Sequence, residues 1–229
     1  MQLTLREAAR LLNVAEKTLE RWADSGDVPV HRVNDQCRFN AAELLEWANA
    51  RKLEVSAEMF GGAGGETPTV AEALEAGGVF HDLPAADRES ALRAMIAALR
   101  LPEGTDRAML EEVLLARESL GTTAIGAGIA IPHVRTPMVF GIPSPGIALF
   151  FLERPVDFAS PDRQPVHALF WLVAPTVRAH LRLLSRLAAV LRDPGVQVLL
   201  ARRAPEKEIL EEVRRVEASP GVHSGEGTS

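Results

Sequence analysis

The 229-residue sequence has only one cysteine, Cys37. That excludes an intrachain disulfide and any cysteine-rich zinc site. Its six histidines show no metal-ligand spacing with a carboxylate or cysteine partner, so no metal is expected, and no cofactor is implied. Long apolar runs are missing too. The longest charge-free stretch, 136–152, is broken by Pro137, Pro143 and Pro145, so no membrane span is predicted. The N-terminal MQLTLREAARLLN carries charges where a secretory signal needs an apolar centre, and the expected location is cytoplasmic. There is no surplus of positive charge. The net charge of −6 argues against a chain coated for nucleic-acid binding, although not against a small binding module. What is present is ordinary for a globular chain, with 47% apolar and 24% charged residues. Set against about 150 residues per domain, the length fits one large domain or two unequal ones.

A composition shift divides the chain. Residues 61–65 read GGAGG and are followed by Glu66-Thr67-Pro68, which can hold neither helix nor strand. The boundaries read as a first module at 1–55, a linker at 56–68, a second module at 69–217 and a small polar tail at 218–229. A flexible stretch of roughly ten residues spans about 17 Å root-mean-square, so it tethers its flanks without aligning them.

In the first module Thr4 and Glu7 predict a capping box, opening a helix with the apolar stripe Leu5, Ala8, Ala9 and Leu12. A second helix is expected from about Ala15 to Ala23, closed by Gly26 and Pro29. Two extended runs, Val30–Val33 and Gln36–Phe39, flank the turn pair Asn34-Asp35. Asn40 and Glu43 then start a third helix. Helix, turn, helix, hairpin, helix is a winged helix-turn-helix layout, and Trp22 and Trp47 on apolar faces are expected in its core.

The second module alternates helices with strands. Thr69 and Glu72 predict another capped helix, and Val79–Leu83 reads as a strand. Helical periodicity follows over 87–100 and 105–118. The apolar runs Gly128–Ile131, Ile147–Leu152 and Ala168–Val173 have the lengths of buried strands. A long helix from Val177 to Asp193 should stop at Pro194-Gly195, and a last one should start near Pro205. The implied fold class is α/β, a sandwich around a mixed β-sheet, with the small winged helix-turn-helix ahead of it.

The strongest chemical signal is RESLGTTAIGAGIAIPHVR at 117–135. His133 ends an apolar strand, with glycines at 121, 126 and 128 and Pro132 fixing its approach. An exposed neutral imidazole there is a competent nucleophile. On the residues alone, a capping or packing histidine remains the alternative. Gly126 and Gly128 mimic a dinucleotide fingerprint but fail at its third position, Ile131, and no GxSxG elbow occurs. His167 lies inside an alternating strand run and reads as structural.

This stretch resembles the active-site segment of enzyme IIA of the phosphotransferase system, in the fructose–mannitol and nitrogen-regulatory class. The likeness runs over roughly 69–217 and includes PVDFASPDRQPVHALFWLVAP and the following HLRLLSRLA. It implies that His133 accepts a phosphoryl group from an HPr-type phosphocarrier, with His180 beside it and Arg117 available to clamp phosphate oxygens. One departure stands out: Val134 occupies a position where the family usually has glycine. If that position needs a positive φ, valine is costly there.

LTLREAARLLNVAEKTLERW and HRVNDQCRFNAAELLEW resemble the MerR and excisionase type of winged helix-turn-helix. The resemblance implies that Lys17, Thr18 and Arg21 face the major groove and that Arg32 and Arg38 sit against phosphates. Yet residues 1–52 hold eight basic and eight acidic side chains, and Glu16 and Glu20 interrupt the helix that should approach DNA. The expected function is a phosphorelay regulator, with a HPr-type protein and DNA as partners and a homodimer on DNA. Transfer to a separate IIB protein for sugar uptake, or a non-cycling protein-binding role, are the alternatives.

Overall fold

The computed structural model describes residues 2–33, 36–51, 53, 55, 68–101, 104–133 and 145–219. The turn pair Asn34-Asp35, Val134, nearly all of the expected linker and most of the expected tail lie outside these residues. The described residues fall into two compact units, divided between residues 55 and 68.

The first unit begins with β1 (Gln2–Thr4), α1 (Leu5–Leu11) and α2 (Glu16–Ser25). It continues with β2 (His31–Val33), β3 (Gln36–Asn40) and α3 (Ala41–Ala50). The expected capping box is formed: Thr4 N–H donates to Glu7 Oε2 at 2.8 Å, and Glu7 N–H donates to Thr4 Oγ1 at 3.3 Å. α2 starts at Ala15 without any side-chain cap and ends at the left-handed Gly26, φ 76°. Strand β1 is not evident in the sequence pattern. It pairs antiparallel with β3, which also pairs antiparallel with β2, giving the order β1-β3-β2. Leu3, Leu11, Leu19, Phe39, Leu44 and Leu45 fill the core. Trp22 and Trp47 are only half-buried, contrary to expectation, with ring centroids 5.4 Å apart at 55°. Phe39 and the leucines already fill the centre, which leaves each indole partly exposed.

The second unit opens with α4 (Val70–Gly77), β4 (Val79–Leu83), α5 (Arg88–Ala98) and α6 (Arg107–Ser119). Next come β5 (Ala124–Gly126), β6 (Ile129–Ala130), β7 (Gly146–Val156) and β8 (Val166–Val173). It closes with α7 (Val177–Val190), α8 (Pro194–Ala201) and α9 (Glu206–Glu217). Five strands form one mixed sheet in the order β4-β7-β8-β6-β5. The pairs β4–β7 and β6–β8 are parallel, while β7–β8 and β5–β6 are antiparallel. Ala148, Phe150 and Leu152 of β7 join Leu169 and Trp171 of β8 in a core with α5 and α6. By the period of two, Ile147, Leu149 and Phe151 point to the opposite face, where α4 and α7 pack. This double burial is why both central strands read as unbroken apolar runs.

α7 ends at Val190, short of the expected Asp193, and Pro194-Gly195 begins α8 instead. Asp193 accepts from Gly195 N–H at 2.8 Å and Val196 N–H at 3.2 Å, with Pro194 in the first turn, where a missing N–H costs nothing. The two ends of the unit are clasped. Buried Glu217, at the end of α9, accepts from Val70 N–H at 2.8 Å and Ala71 N–H at 3.1 Å. It thereby satisfies donors that the first turn of α4 leaves open.

Candidate functional site

Topology brings the two histidines together. Strands β6 and β8 are parallel neighbours, so their carboxyl ends lie at the same edge of the sheet, the usual place for a site in an open α/β fold. His133 follows β6 by three residues, and His180 sits in the first turns of α7, which follows β8. Their ring centroids are 6.4 Å apart at 44°. Thr176 caps α7, accepting from Ala179 N–H at 3.1 Å. The amino end of that helix, with its partial positive charge, therefore points toward this edge.

His133 is buried, at 4% exposure, where the sequence reading expects an exposed ring. The strand end continues the core rather than leaving it: Ile131 and Pro132 are buried as well. The Nδ1 of His133 lies 2.6 Å from Ile131 O. A carbonyl only accepts, so Nδ1 carries the proton, and in the neutral ring Nε2 holds the basic lone pair. His180 is also buried, and its Nε2 has no hydrogen-bond partner among the described residues. Burial, with His133 adding a smaller repulsion, pushes its pKa down to about 3. His180 is therefore a neutral imidazole across the physiological range.

Arg117, in the last turn of α6, is buried and donates from Nη1 to Gly121 O at 2.8 Å. Gly121 leads into β5, whose start lies beside the end of β6: Ile131 N–H donates to Thr123 O at 3.0 Å. Arg117 thus belongs to the same edge as the histidines. Two residues there escape sequence reading, Glu118 and Thr123. Both are buried, and the Thr123 hydroxyl donates to Glu118 Oε2 at 2.7 Å.

Asp162 braces the turn between β5 and β6. Its carboxylate accepts from Ala127 N–H at 2.7 Å, Ser160 Oγ–H at 2.6 Å and Gln164 N–H at 3.1 Å. Gly126, Ala127 and Gly128 in that turn all have left-handed φ, 97°, 53° and 72°. His167 is half-buried on β8 and packs on Gly128. Its pKa is lowered, by burial first and then by Arg203.

On the first unit, Lys17 and Arg21 are exposed on α2 and Thr18 is half-buried. Glu16, Glu20 and Asp24 are exposed along the same helix. Arg32 on β2 pairs with Asp24 at 2.6 Å, an exposed bridge of small net strength. Arg38 on β3 is half-buried and donates to Gln36 Oε1 at 2.6 Å and Cys37 O at 3.2 Å. Among the described residues no group of three or more His, Cys, Asp or Glu can hold a metal ion, and no helix is long and apolar enough to cross a membrane.

A mixed sheet between helix layers, with paired buried histidines at its carboxyl edge, defines an α/β sandwich of the enzyme IIA type. A winged helix-turn-helix forms a separate unit. Residues 72–216 match the family described as phosphoenolpyruvate-dependent sugar phosphotransferase system, EIIA 2, and the chain belongs to that family. Residues 3–52 match the family described as helix-turn-helix domain. The nitrogen regulatory protein of Bradyrhizobium diazoefficiens is 42% identical over 112 residues, 48% of this chain and 71% of that protein. The crystal structure of nitrogen regulatory protein IIA-Ntr from Neisseria meningitidis superposes with a TM-score of 0.51 at 27% identity. It covers 59% of this chain and 92% of its own. A 56-residue match at 41% identity links 24% of this chain to 21% of the transcriptional repressor DcmR of Methylorubrum extorquens.

Proposed function

We propose that the second unit is a phosphoryl-accepting relay component of the nitrogen-regulatory kind, and that its phosphorylation state is coupled to DNA binding by the winged helix. His133 receives the phosphoryl group from the phosphohistidine of an HPr-type phosphocarrier. The observation that carries this reading is the commitment of His133 Nδ1–H to Ile131 O at 2.6 Å, which leaves Nε2 as the attacking nitrogen. In the transfer a bond forms between Nε2 and phosphorus while the donor's N–P bond breaks, and its electron pair returns to the donor ring. His133 keeps its Nδ1 proton and gains positive charge, which the Ile131 carbonyl stabilises. Such a transfer is near in-line and depends on positioning and charge. Neutral His180 supplies one ring N–H toward a phosphoryl oxygen, α7 adds its dipole, and Arg117 adds a buried positive charge.

The regulatory output draws support from the nitrogen regulatory relatives, the helix-turn-helix match and the repressor likeness. Lys17, Thr18 and Arg21 are the groove-facing candidates, with Arg32 and Arg38 against phosphates. Glu16 and Glu20 beside them keep nonspecific affinity low and the salt dependence shallow. Two protomers on half-sites about one helical turn apart would supply enough contacts.

The test is incubation of the full chain with radiolabelled phosphoenolpyruvate, enzyme I and an HPr-type phosphocarrier. His133→Ala should abolish incorporation, while His180→Ala should slow it and leave some label. Undiminished labelling of His133→Ala refutes the assignment, and onward transfer to a purified IIB protein would move the output to sugar uptake. Selection of genomic fragments at low salt, comparing wild type with Arg21→Ala, tests the DNA arm.

A further inference from the structure

The ring of His133 is fixed by a carbonyl, and that carbonyl is fixed from a neighbouring helix. Ile131 accepts the Nδ1 proton through its O at 2.6 Å and donates its own N–H to Thr123 O at 3.0 Å. Thr123 in turn directs both of its donors at one carboxylate. Its Oγ1–H donates to Glu118 Oε2 at 2.7 Å, and its N–H reaches the two Glu118 oxygens at 3.2 and 3.3 Å. Glu118 belongs to the last turn of α6 and is 4% exposed. Arg88 Nη1 lies 3.6 Å from its carboxylate. Arg117, one position earlier, holds Gly121 O at 2.8 Å. Consecutive residues of α6 therefore grip the 121–123 turn at two points, and that turn grips Ile131.

A buried carboxylate is an expensive way to fill space. Burial pushes the Glu118 carboxyl up, with the Thr123 hydrogen bonds and the charges of Arg88 and Arg117 opposing it. An apolar side chain would fit the same place at lower cost unless its acceptors are needed, and here the groups that need them are the two donors of Thr123. The chain of contacts ends on the ring nitrogen that sets the tautomer of the proposed phosphoacceptor.

We infer that Glu118 and Thr123 are positioning residues for His133: they hold Ile131 so that its carbonyl keeps the ring in the Nδ1–H tautomer, with Nε2 ready for phosphoryl transfer. The consequence for rate rests on the phosphorelay reading; the consequence for tautomer does not.

The experiment uses the full chain labelled with 15N, as wild type, Thr123→Val, Thr123→Ser and Glu118→Gln. Long-range 1H–15N correlation reads the protonation of each His133 ring nitrogen, and uptake from a phosphorylated HPr-type carrier reads the rate. Wild type should show the Nδ1–H pattern. Thr123→Val should show mixed tautomers, with uptake lowered between about 10-fold and about 100-fold, the range that a sub-ångström to ångström displacement produces. Thr123→Ser should restore both readouts, and Glu118→Gln should move both in the same sense as Thr123→Val. If Thr123→Val does not fold, Glu118→Gln, of nearly equal volume, decides the question. Folded variants with an unchanged ring pattern and an unchanged rate overturn the inference. Should wild type take up no phosphoryl group, the relay reading fails, and the ring pattern still decides whether Glu118 and Thr123 position His133.

Discussion

Gly128 sits where the turn after β5 becomes β6, and its replacement by alanine has a cost that can be worked out from the geometry. Its φ is +72°, and a Cβ built there would lie 2.2 Å from His167 Nδ1, 2.5 Å from His167 Cε1 and 3.3 Å from Pro165 O. The two residues cannot simply separate, because Gly128 O accepts from His167 N–H at 2.8 Å and from Ala168 N–H at 3.2 Å. Left-handed backbone costs an alanine roughly 1–2 kcal/mol. Forcing a methyl into an occupied position costs about 1–3 kcal/mol more. The sum is about 2–5 kcal/mol, and at about 2–4 °C per kcal/mol for a unit of this size the midpoint should fall by between about 4 and about 20 °C. Scanning calorimetry on wild type, Gly128→Ala, His167→Ala and the double variant separates the contributions. The steric part should vanish when the imidazole is removed, giving a favourable coupling of about 1–3 kcal/mol, while the φ part remains. Phosphoryl uptake should fall as well, because β6, which starts right after Gly128, leads directly into Ile131 and His133. A Gly128→Ala midpoint within a degree of wild type, or a cycle with zero coupling, would refute the reasoning.

Glu217→Ala should destabilise the second unit by about 2–4 kcal/mol in urea unfolding, since it strands the Val70 and Ala71 N–H groups; Glu217→Gln, which keeps one acceptor, should recover part of that loss. For Asp162, burial raises the carboxyl, but the hydrogen bonds from Ser160, Ala127 and Gln164 outweigh it and hold the pKa below the usual value. Its contribution is therefore complete above the unfolded value of about 3.9 and is lost as pH falls through the lower folded value. Asp162→Asn should lower stability at neutral pH by on the order of 1 kcal/mol and flatten the acid limb of the melting-temperature profile, and a limb of unchanged steepness would contradict the brace.

Local chemistry explains which parts of the fold were legible. The Thr4/Glu7 and Thr69/Glu72 capping boxes are four-residue patterns, and both are formed. Strands β7 and β8 announce themselves because burial on both faces demands continuous apolar side chains. Strand β1 does not, since three residues carry too little periodicity and its conformation is set by pairing with β3. Helix α8 hides behind Pro194-Gly195, a breaker pair that Asp193 turns into a helix start. At the site, His133, His180 and Arg117 stand out through their motifs. The burial of His133 does not, because it depends on what surrounds the end of β6. Glu118 and Thr123 are invisible for a similar reason: each matters only through a partner elsewhere in the sequence, along a path from 118 to 123 to 131 to 133. The half-buried pairing of Trp22 with Trp47 likewise follows from how three helices fill a small core rather than from either residue's own periodicity.

The clasp between Glu217 and the first turn of α4 gives the second unit the topology of a nearly closed ring. Its chain leaves and returns at one point, so the start and finish of the unit are neighbours although almost its whole length separates them. Joining those ends covalently and opening a surface turn elsewhere would preserve the sheet, the packing of both helix layers and the histidine edge. A pull applied to the two ends would act first on the Glu217 hydrogen bonds, which lie between α4 and α9. In the sheet order β4-β7-β8-β6-β5, β7 separates the opening strand β4 from β8 and β6, the two strands that lead to the histidines.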